Sequence, residues 1–134
     1  WQSIVCDLIE HRATESGIQL QLATMDWDHG PLVSYCTFPI TGPAFDLLWR
    51  QIEGKPIDEV KAAHWEELPI FQRIRQEGQK REAPLLLETL RAFSAGQIKF
   101  AGQQVVDSQG RAVDGYCLND RVEEWLKTHP EGGA

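Results

Sequence analysis

The chain has 134 residues, of which 42% are hydrophobic and 25% charged, and its formal net charge at pH 7 is -7. The length suits one domain with a sizeable core, and the composition is near the globular average of about 45–50% apolar and 25% charged residues. The acidic balance disfavours binding to a nucleic-acid backbone, and no apolar run approaches the length of about 18 residues that a bilayer crossing needs. We expect a single soluble, cytoplasmic domain over residues 1–134, with neither nucleic acid nor membrane as its partner.

The cysteine pattern also favours a reducing compartment. Cys6, Cys36 and Cys117 are an odd number without CxxC spacing, which fits neither a disulfide framework nor a zinc knuckle. Asp7 and Glu10 lie inside the first apolar stretch, where a secretory signal would carry no charge. We therefore expect reduced, buried thiols.

A helix and a β-hairpin are predicted first along the chain. Apolar residues recur on one helical face before Gly17, namely Ile4, Val5, Leu8 and Ile9. Apolar and polar residues alternate over 18–22 and again over 32–38, and the polar residues 26–30 between them are typical of a tight turn. The alternation places Cys36 on the inward side of the second strand.

The middle of the chain is predicted to be a series of short amphipathic helices separated by proline and glycine. Pro43 begins and Gly54 ends the first, whose apolar residues have helical spacing: Phe45, Leu48, Trp49 and Ile52. A short segment and then a helix that closes at Gly78 follow, and the next helix begins at Pro84. The residues expected to face the core on this last helix are Leu86, Leu87, Leu90 and Phe93.

Towards the end of the chain the pattern changes back to strands and then to a helix. Apolar residues on either side of the turn 107–110 predict a second hairpin that returns to the sheet. Asn119 is expected to cap a final helix, which Pro130 ends. The predicted fold class is α+β, with an antiparallel sheet of about four strands in two hairpins and about five or six short amphipathic helices packed mainly on one face.

The turn of the first hairpin carries a candidate site. Asp26, Asp28 and His29 are residue types that bind divalent metals or act as acid and base. Aspartate is also what a tight turn requires, because its side chain caps the local backbone. Trp27 has no such role in a turn, so its large ring suggests contact with a ligand or partner.

Two further groups of polar residues lie in the helical middle. His64 and Glu67 are spaced to share one helical face, as in a metal pair or catalytic dyad. Alternatively, the carboxylates stabilise the first turn of a helix while Trp65 packs. A basic cluster either binds a phosphate or an acidic partner, or forms the solvated side of a helix; it consists of Arg73, Arg75, Lys80 and Arg81.

Two short stretches resemble PAS sensory domains. Residues 52–56 read Ile-Glu-Gly-Lys-Pro, similar to the Gly-Lys-Pro that follows a helix in that family. Residues 105–111 contain an Asp-x-x-Gly turn, similar to the turn that joins late strands in PAS domains. The resemblance implies a domain that senses a small ligand.

The leading functional hypothesis is a non-catalytic binding module for a small molecule or a protein partner. Its site would be an apolar cleft with aromatic groups at the mouth, and the residues expected to contact the ligand are Trp27, His29, Tyr35 and Trp65. No metal belongs to this hypothesis, and the sequence identifies no cofactor.

Two other classes of function remain open. The first is a metal-assisted hydrolase or isomerase, whose residues would be Asp26, Asp28, His29, His64 and Glu67. The second is an acidic inhibitor or immunity-type interaction protein, for which the net charge of -7 is the only indication. A homodimer that pairs through an exposed strand edge is compatible with any of these hypotheses.

Overall fold

The structure, a computed structural model, describes residues 2–23, 30–56, 58–59 and 67–130. In chain order its elements are α1 (Gln2–Glu10), β1 (Glu15–Gln21), β2 (Leu32–Pro39), α2 (Asp46–Arg50), α3 (Pro69–Ser94), β3 (Lys99–Ala101), β4 (Gln104–Val106), β5 (Tyr116–Cys117) and α4 (Asn119–Thr128). The mixed α and β class is confirmed, but these ranges contain four helices and sheets of three and two strands, so the predicted counts are wrong.

The larger sheet has the order β1-β2-β5 and is mixed rather than antiparallel. The first two strands run antiparallel, as shown by backbone bonds from Leu22 N–H to Pro31 C=O (2.9 Å) and from Ile40 N–H to Thr14 C=O (3.0 Å). Strand β5 pairs with β2 in parallel, with Ser34 opposite Tyr116. A long connection precedes β5, which is what parallel pairing requires.

The second hairpin was predicted to return to this sheet, and only the segment after its turn does so, as β5. Strands β3 and β4 form their own two-stranded antiparallel sheet, with Phe100 opposite Val105. The predicted turn follows β4, where Gly110 N–H donates to the Asp107 carbonyl at 3.0 Å. The Asp107 carboxylate accepts bonds from Arg111 N–H and Gln109 N–H, and the pKa of this carboxyl is lowered as a result.

Contacts divide the chain into two compact units, and the first comprises residues 1–16 and 38–79. Its core is a cluster of Val5, Ile9, Phe38, Ile40, Phe45, Ile52, Ile70, Phe71 and Ile74. Ile4 was expected to join this core but is 62% exposed. Adjacent helical residues point about 100° apart, so Ile4 lies off the buried stripe that Val5 and Ile9 define.

The second unit comprises residues 17–37 and 80–134 and has two small buried clusters. One contains Val33, Ala92, Ile98 and Val105, and the other contains Cys36, Leu85, Leu118 and Val122. Cys36 is 1% exposed, which confirms its predicted inward orientation. Within this unit α3 and α4 therefore pack against the Cys36 side of β2. Whether residues 1–134 form a single domain stays a prediction.

Helix α3 differs most from expectation. Instead of two helices separated at Gly78 and Pro84, one helix continues through both residues. The residues expected to face the core at its end are exposed: Leu86, Leu87, Leu90 and Phe93. Leu85, Glu88, Thr89 and Ala92 are buried instead.

The polar members of this buried face have hydrogen-bond partners. The Thr89 hydroxyl donates to the Leu85 carbonyl at 2.6 Å and contacts the Ser34 hydroxyl at 2.7 Å. The Glu88 carboxylate accepts a bond from the Arg91 guanidinium at 2.8 Å. Burial of these polar groups is therefore compensated.

Asn119 does not cap α4 as predicted. The cap residue is Leu118, and no side chain forms a capping bond. The Asn119 side chain instead accepts Thr37 N–H at 2.7 Å and donates to the Thr37 hydroxyl at 2.9 Å. These two hydrogen bonds between the Asn119 amide and Thr37 fix the start of α4 against β2.

None of the helices in the described ranges combines the length and apolar character that a membrane crossing requires.

Candidate functional site

Most of the residues predicted to contact a ligand cannot be placed. Trp27, His29 and Trp65 lie outside the described residues. Tyr35 is half-buried in β2, where its carbonyl accepts a bond from Leu118 N–H at 2.9 Å. The convergence of these four residues on one ligand stays a prediction.

The proposed metal site is likewise untested. Asp26, Asp28, His29 and His64 lie outside the described residues, and Glu67 is exposed. Within the part of the chain that the structure describes, no group of three or more His, Cys, Asp and Glu side chains is placed to hold a metal ion.

The basic cluster is partly neutralised within the chain. Arg73 forms an ion pair with Glu77 at 3.0 Å and also lies over the Phe45 ring, 5.7 Å from its centroid. Arg81 is buried and forms an ion pair with Glu123 at 2.8 Å. These two arginines therefore have internal roles, and Arg81 does not belong to a solvated face.

A surface groove that the sequence did not reveal lies in the second unit. Its volume is about 570 Å³, within the range of about 300–1,000 Å³ that is usual for small-molecule sites. Helix α3 contributes Glu88 and Arg91. The remaining lining residues belong to α4 and the residue after it: Asp120, Arg121, Glu124, Trp125, Thr128 and His129.

An aromatic pair forms one wall of the groove. The Trp125 and His129 rings stack with centroids 4.0 Å apart and planes 12° from parallel. They meet because residues four apart lie on one side of a helix. The His129 Nδ1 atom lies 2.9 Å from both the Trp125 carbonyl and the Thr128 hydroxyl, so the imidazole is held at the helix end.

The charged side chains of the groove differ in their partners. The Arg91 guanidinium bonds to Glu88, and the Arg121 guanidinium donates to the Gln97 side chain at 2.7 Å. Asp120 and Glu124 lie one turn apart on α4, and neither forms an ion pair with a described residue. The groove therefore offers a ligand the carboxylates of these two residues, together with the Arg121 guanidinium, whose bond is to a neutral amide.

The sequence did contain part of the signal for this groove. Asp120, Glu124 and Trp125 lie close together in the segment that forms α4, and His129 follows directly after it. The other wall could not be foreseen, because the sequence favoured the face of α3 with Leu86 and Leu90 as the core side, whereas the opposite face with Glu88 is buried.

Cys36 is not a reactive site. Burial raises the pKa of its thiol from the ordinary value of 9.0 to about 11, although the nearby Arg81 guanidinium opposes this rise. At pH 8 we expect iodoacetamide to modify the exposed Cys117 and to leave Cys36 unmodified until the protein is unfolded in urea. Peptide mass spectrometry distinguishes the two sites, and equal labelling rates in the folded protein would contradict the burial of Cys36.

The same pKa predicts how stability depends on pH. The unfolded chain loses the Cys36 proton at lower pH than the folded chain, so the contribution of this thiol to stability is complete below pH 9 and is lost as pH rises towards 11. Urea unfolding of the wild type should therefore show a steeper loss of stability over this range than that of Cys36→Ala. Parallel pH profiles for the two proteins would contradict the prediction.

The chain has no match among protein-family models, curated proteins or solved structures.

Proposed function

We propose that the chain is a non-catalytic binding module whose groove between α3 and α4 binds a small organic cation. The proposal depends on one observation above all. The stacked rings of Trp125 and His129 lie in the same groove as the carboxylates of Asp120 and Glu124. A protonated amine or guanidinium group suits this combination of an aromatic face and negative charge.

The remaining charges of the groove support a cation rather than an anion. Three carboxylates and two guanidinium groups line it. Both arginines already bond to neighbours, Arg91 to Glu88 and Arg121 to Gln97. An anionic ligand would have to approach three carboxylates, and one of the two guanidinium groups is already paired with Glu88, whereas a cation would meet carboxylates that are unpaired among the described residues.

The site of the proposal differs from the cleft expected from the sequence. Most of the side chains that line the groove are charged, and its aromatic wall comes from α4 and the residue after it rather than from the turn of the first hairpin. Tyr35, the described member of the predicted set, is not among the residues that line it.

Nitrogen-edited NMR of the indole N–H groups tests the proposal directly. The chain has five tryptophans, and the Trp125→Phe variant identifies the resonance of Trp125. Titration with a panel of primary amines, guanidines and quaternary ammonium compounds should shift that resonance. The Trp49 indole, which donates to the Ile40 carbonyl at 2.6 Å in the first unit, should stay unchanged and serves as an internal reference.

Charge neutralisation in the groove should weaken binding. The double variant Asp120→Asn with Glu124→Gln removes two charge-assisted contacts, and we expect the affinity for the amine to fall at least about tenfold. The matched control is Glu15→Gln with Asp114→Asn, which makes the same change in net charge at exposed positions that do not line the groove. Equal affinities of the two double variants, or a Trp125 resonance that no cation shifts, would contradict the proposal.

A further inference from the structure

Helix α3 carries an apolar stripe on its solvent side. Leu86, Leu90 and Phe93 are 49%, 54% and 47% exposed, and Phe100 of β3 is 36% exposed. The rings of Phe93 and Phe100 contact each other, with centroids 5.3 Å apart. These four residues, which we call the apolar stripe, all belong to the second unit.

The spacing of the stripe is that of a helix pair. Leu86, Leu90 and Phe93 are separated by four and then three residues, as in the seam between two packed helices. Contiguous exposed apolar residues, unlike isolated ones, mark interaction sites. The groove lies elsewhere on α3, because it uses Glu88 and Arg91.

Charges of opposite sign lie at the two ends of the stripe. Glu82 is exposed and lies one turn before Leu86. Lys99 is exposed at the other end, where its side chain lies 3.7 Å from the position that a Cβ atom on Gly96 would occupy. With a rise of about 1.5 Å per residue, Glu82 lies about 12 Å before Leu90, and α3 ends at Ser94, about 6 Å after it, so that Lys99 follows beyond the end of the helix.

We propose that the apolar stripe binds the same stripe of a second copy, with the two α3 helices antiparallel and crossing near Leu90. Because Glu82 and Lys99 lie towards opposite ends of the stripe, this arrangement places Glu82 of each copy on the side of Lys99 of the other. Two-fold symmetry repeats the contact, so the dimer has two Glu82–Lys99 pairs. A parallel pair would place like charges together at both ends, so the charge pattern selects the antiparallel arrangement. The proposal is independent of the cation site.

Charge exchange tests the orientation of the pair. Sedimentation equilibrium of the wild type should show a reversible dimer. Glu82→Lys alone and Lys99→Glu alone each replace two attractive contacts with two repulsive ones, and each should weaken the dimer about tenfold. The variant that carries both substitutions should return to within about twofold of the wild type.

Substitution within the stripe tests its location. Leu90→Glu should leave the chain monomeric, and far-UV circular dichroism should show an unchanged helix content because Leu90 is exposed. Leu47→Glu, at a 68% exposed leucine of the first unit, is the matched control and should dimerise as the wild type does. A wild type that stays monomeric at all concentrations would overturn the proposal. A Leu90→Glu variant that still dimerises would also overturn it. The same holds if the variant with both Glu82→Lys and Lys99→Glu fails to regain the association of the wild type.

Discussion

Replacement of Phe71 with alanine should lower the free energy of unfolding by about 3 to 5 kcal/mol. Phe71 is 2% exposed and packs in the core of the first unit with Ile70 and Ile74 from its own helix and Val5 and Ile9 from α1. Truncation removes buried apolar surface and leaves a cavity that residues fixed on two helices cannot fill completely. Urea denaturation followed by far-UV circular dichroism measures the loss.

Phe93→Ala provides a control on the same helix. Phe93 is 47% exposed, so the same truncation leaves no enclosed cavity. We expect a loss of less than about 1 kcal/mol, measured at a concentration where the chain is monomeric. Similar losses for the two variants would show that the inward and outward faces of α3 are assigned wrongly.

Gly17→Ala should destabilise the second unit by about 2 to 3 kcal/mol. A Cβ atom at this position would lie 2.7 Å from the Cys36 carbonyl oxygen and 3.4 Å from the Thr37 methyl group. The first contact is with backbone, so β1 can accommodate the methyl group only if it moves away from β2. Chemical denaturation and the loss of amide protection in β1 would report the effect.

Gly102→Ala separates this clash from the conformational role of glycine. Gly102 has a φ of 65°, and nothing lies within 4 Å of the position of its Cβ. Its replacement should cost about 1 kcal/mol through left-handed strain alone. If Gly17→Ala were as stable as the wild type, β1 and β2 would have to lie further apart at Gly17 and Cys36 than the structure shows.

The local pattern of the sequence was sufficient for the first two strands. Alternation has a period of two, so the inward positions of β1 and β2 follow once a few apolar residues are recognised. Ile18 and Leu20 pack against a buried cluster, and Ser34 and Cys36 are buried. The partner of β2 on its other side was not predictable, because β5 has two residues and comes from far along the chain.

Local rules failed on α3 because tertiary packing outweighed them. A glycine costs about 1 kcal/mol and a proline about 3 kcal/mol in a helix, which favours a break at Gly78 and Pro84. Helix residues on both sides of the segment from Gly78 to Pro84 are buried. Phe71 and Ile74 lie before this segment, and Leu85 lies after it. Their burial, together with that of Pro84, stabilises the uninterrupted helix.

The choice of the buried face on α3 was wrong for a related reason. A stripe with several leucines and a phenylalanine appeared to be the natural core face, whereas the buried side contains Glu88 and Thr89. Their polar groups are satisfied by Arg91, Ser34 and a main-chain carbonyl, and such partners are visible only in three dimensions. The groove could not be predicted either, because Glu88 and Arg91, which form part of its wall, lie on the side of α3 that we expected to face away from the core.

The division of the chain at residues 16/17, 37/38 and 79/80 governs how it can be cut into fragments. Each unit is made of two separate segments, so no single cleavage yields either as a continuous polypeptide. A fragment that ends at residue 79 would keep the segment 17–37 but lose the residues that cover Val33 and Cys36. Such a fragment would expose apolar surface and aggregate, so its insolubility would not show that the first unit is unstable.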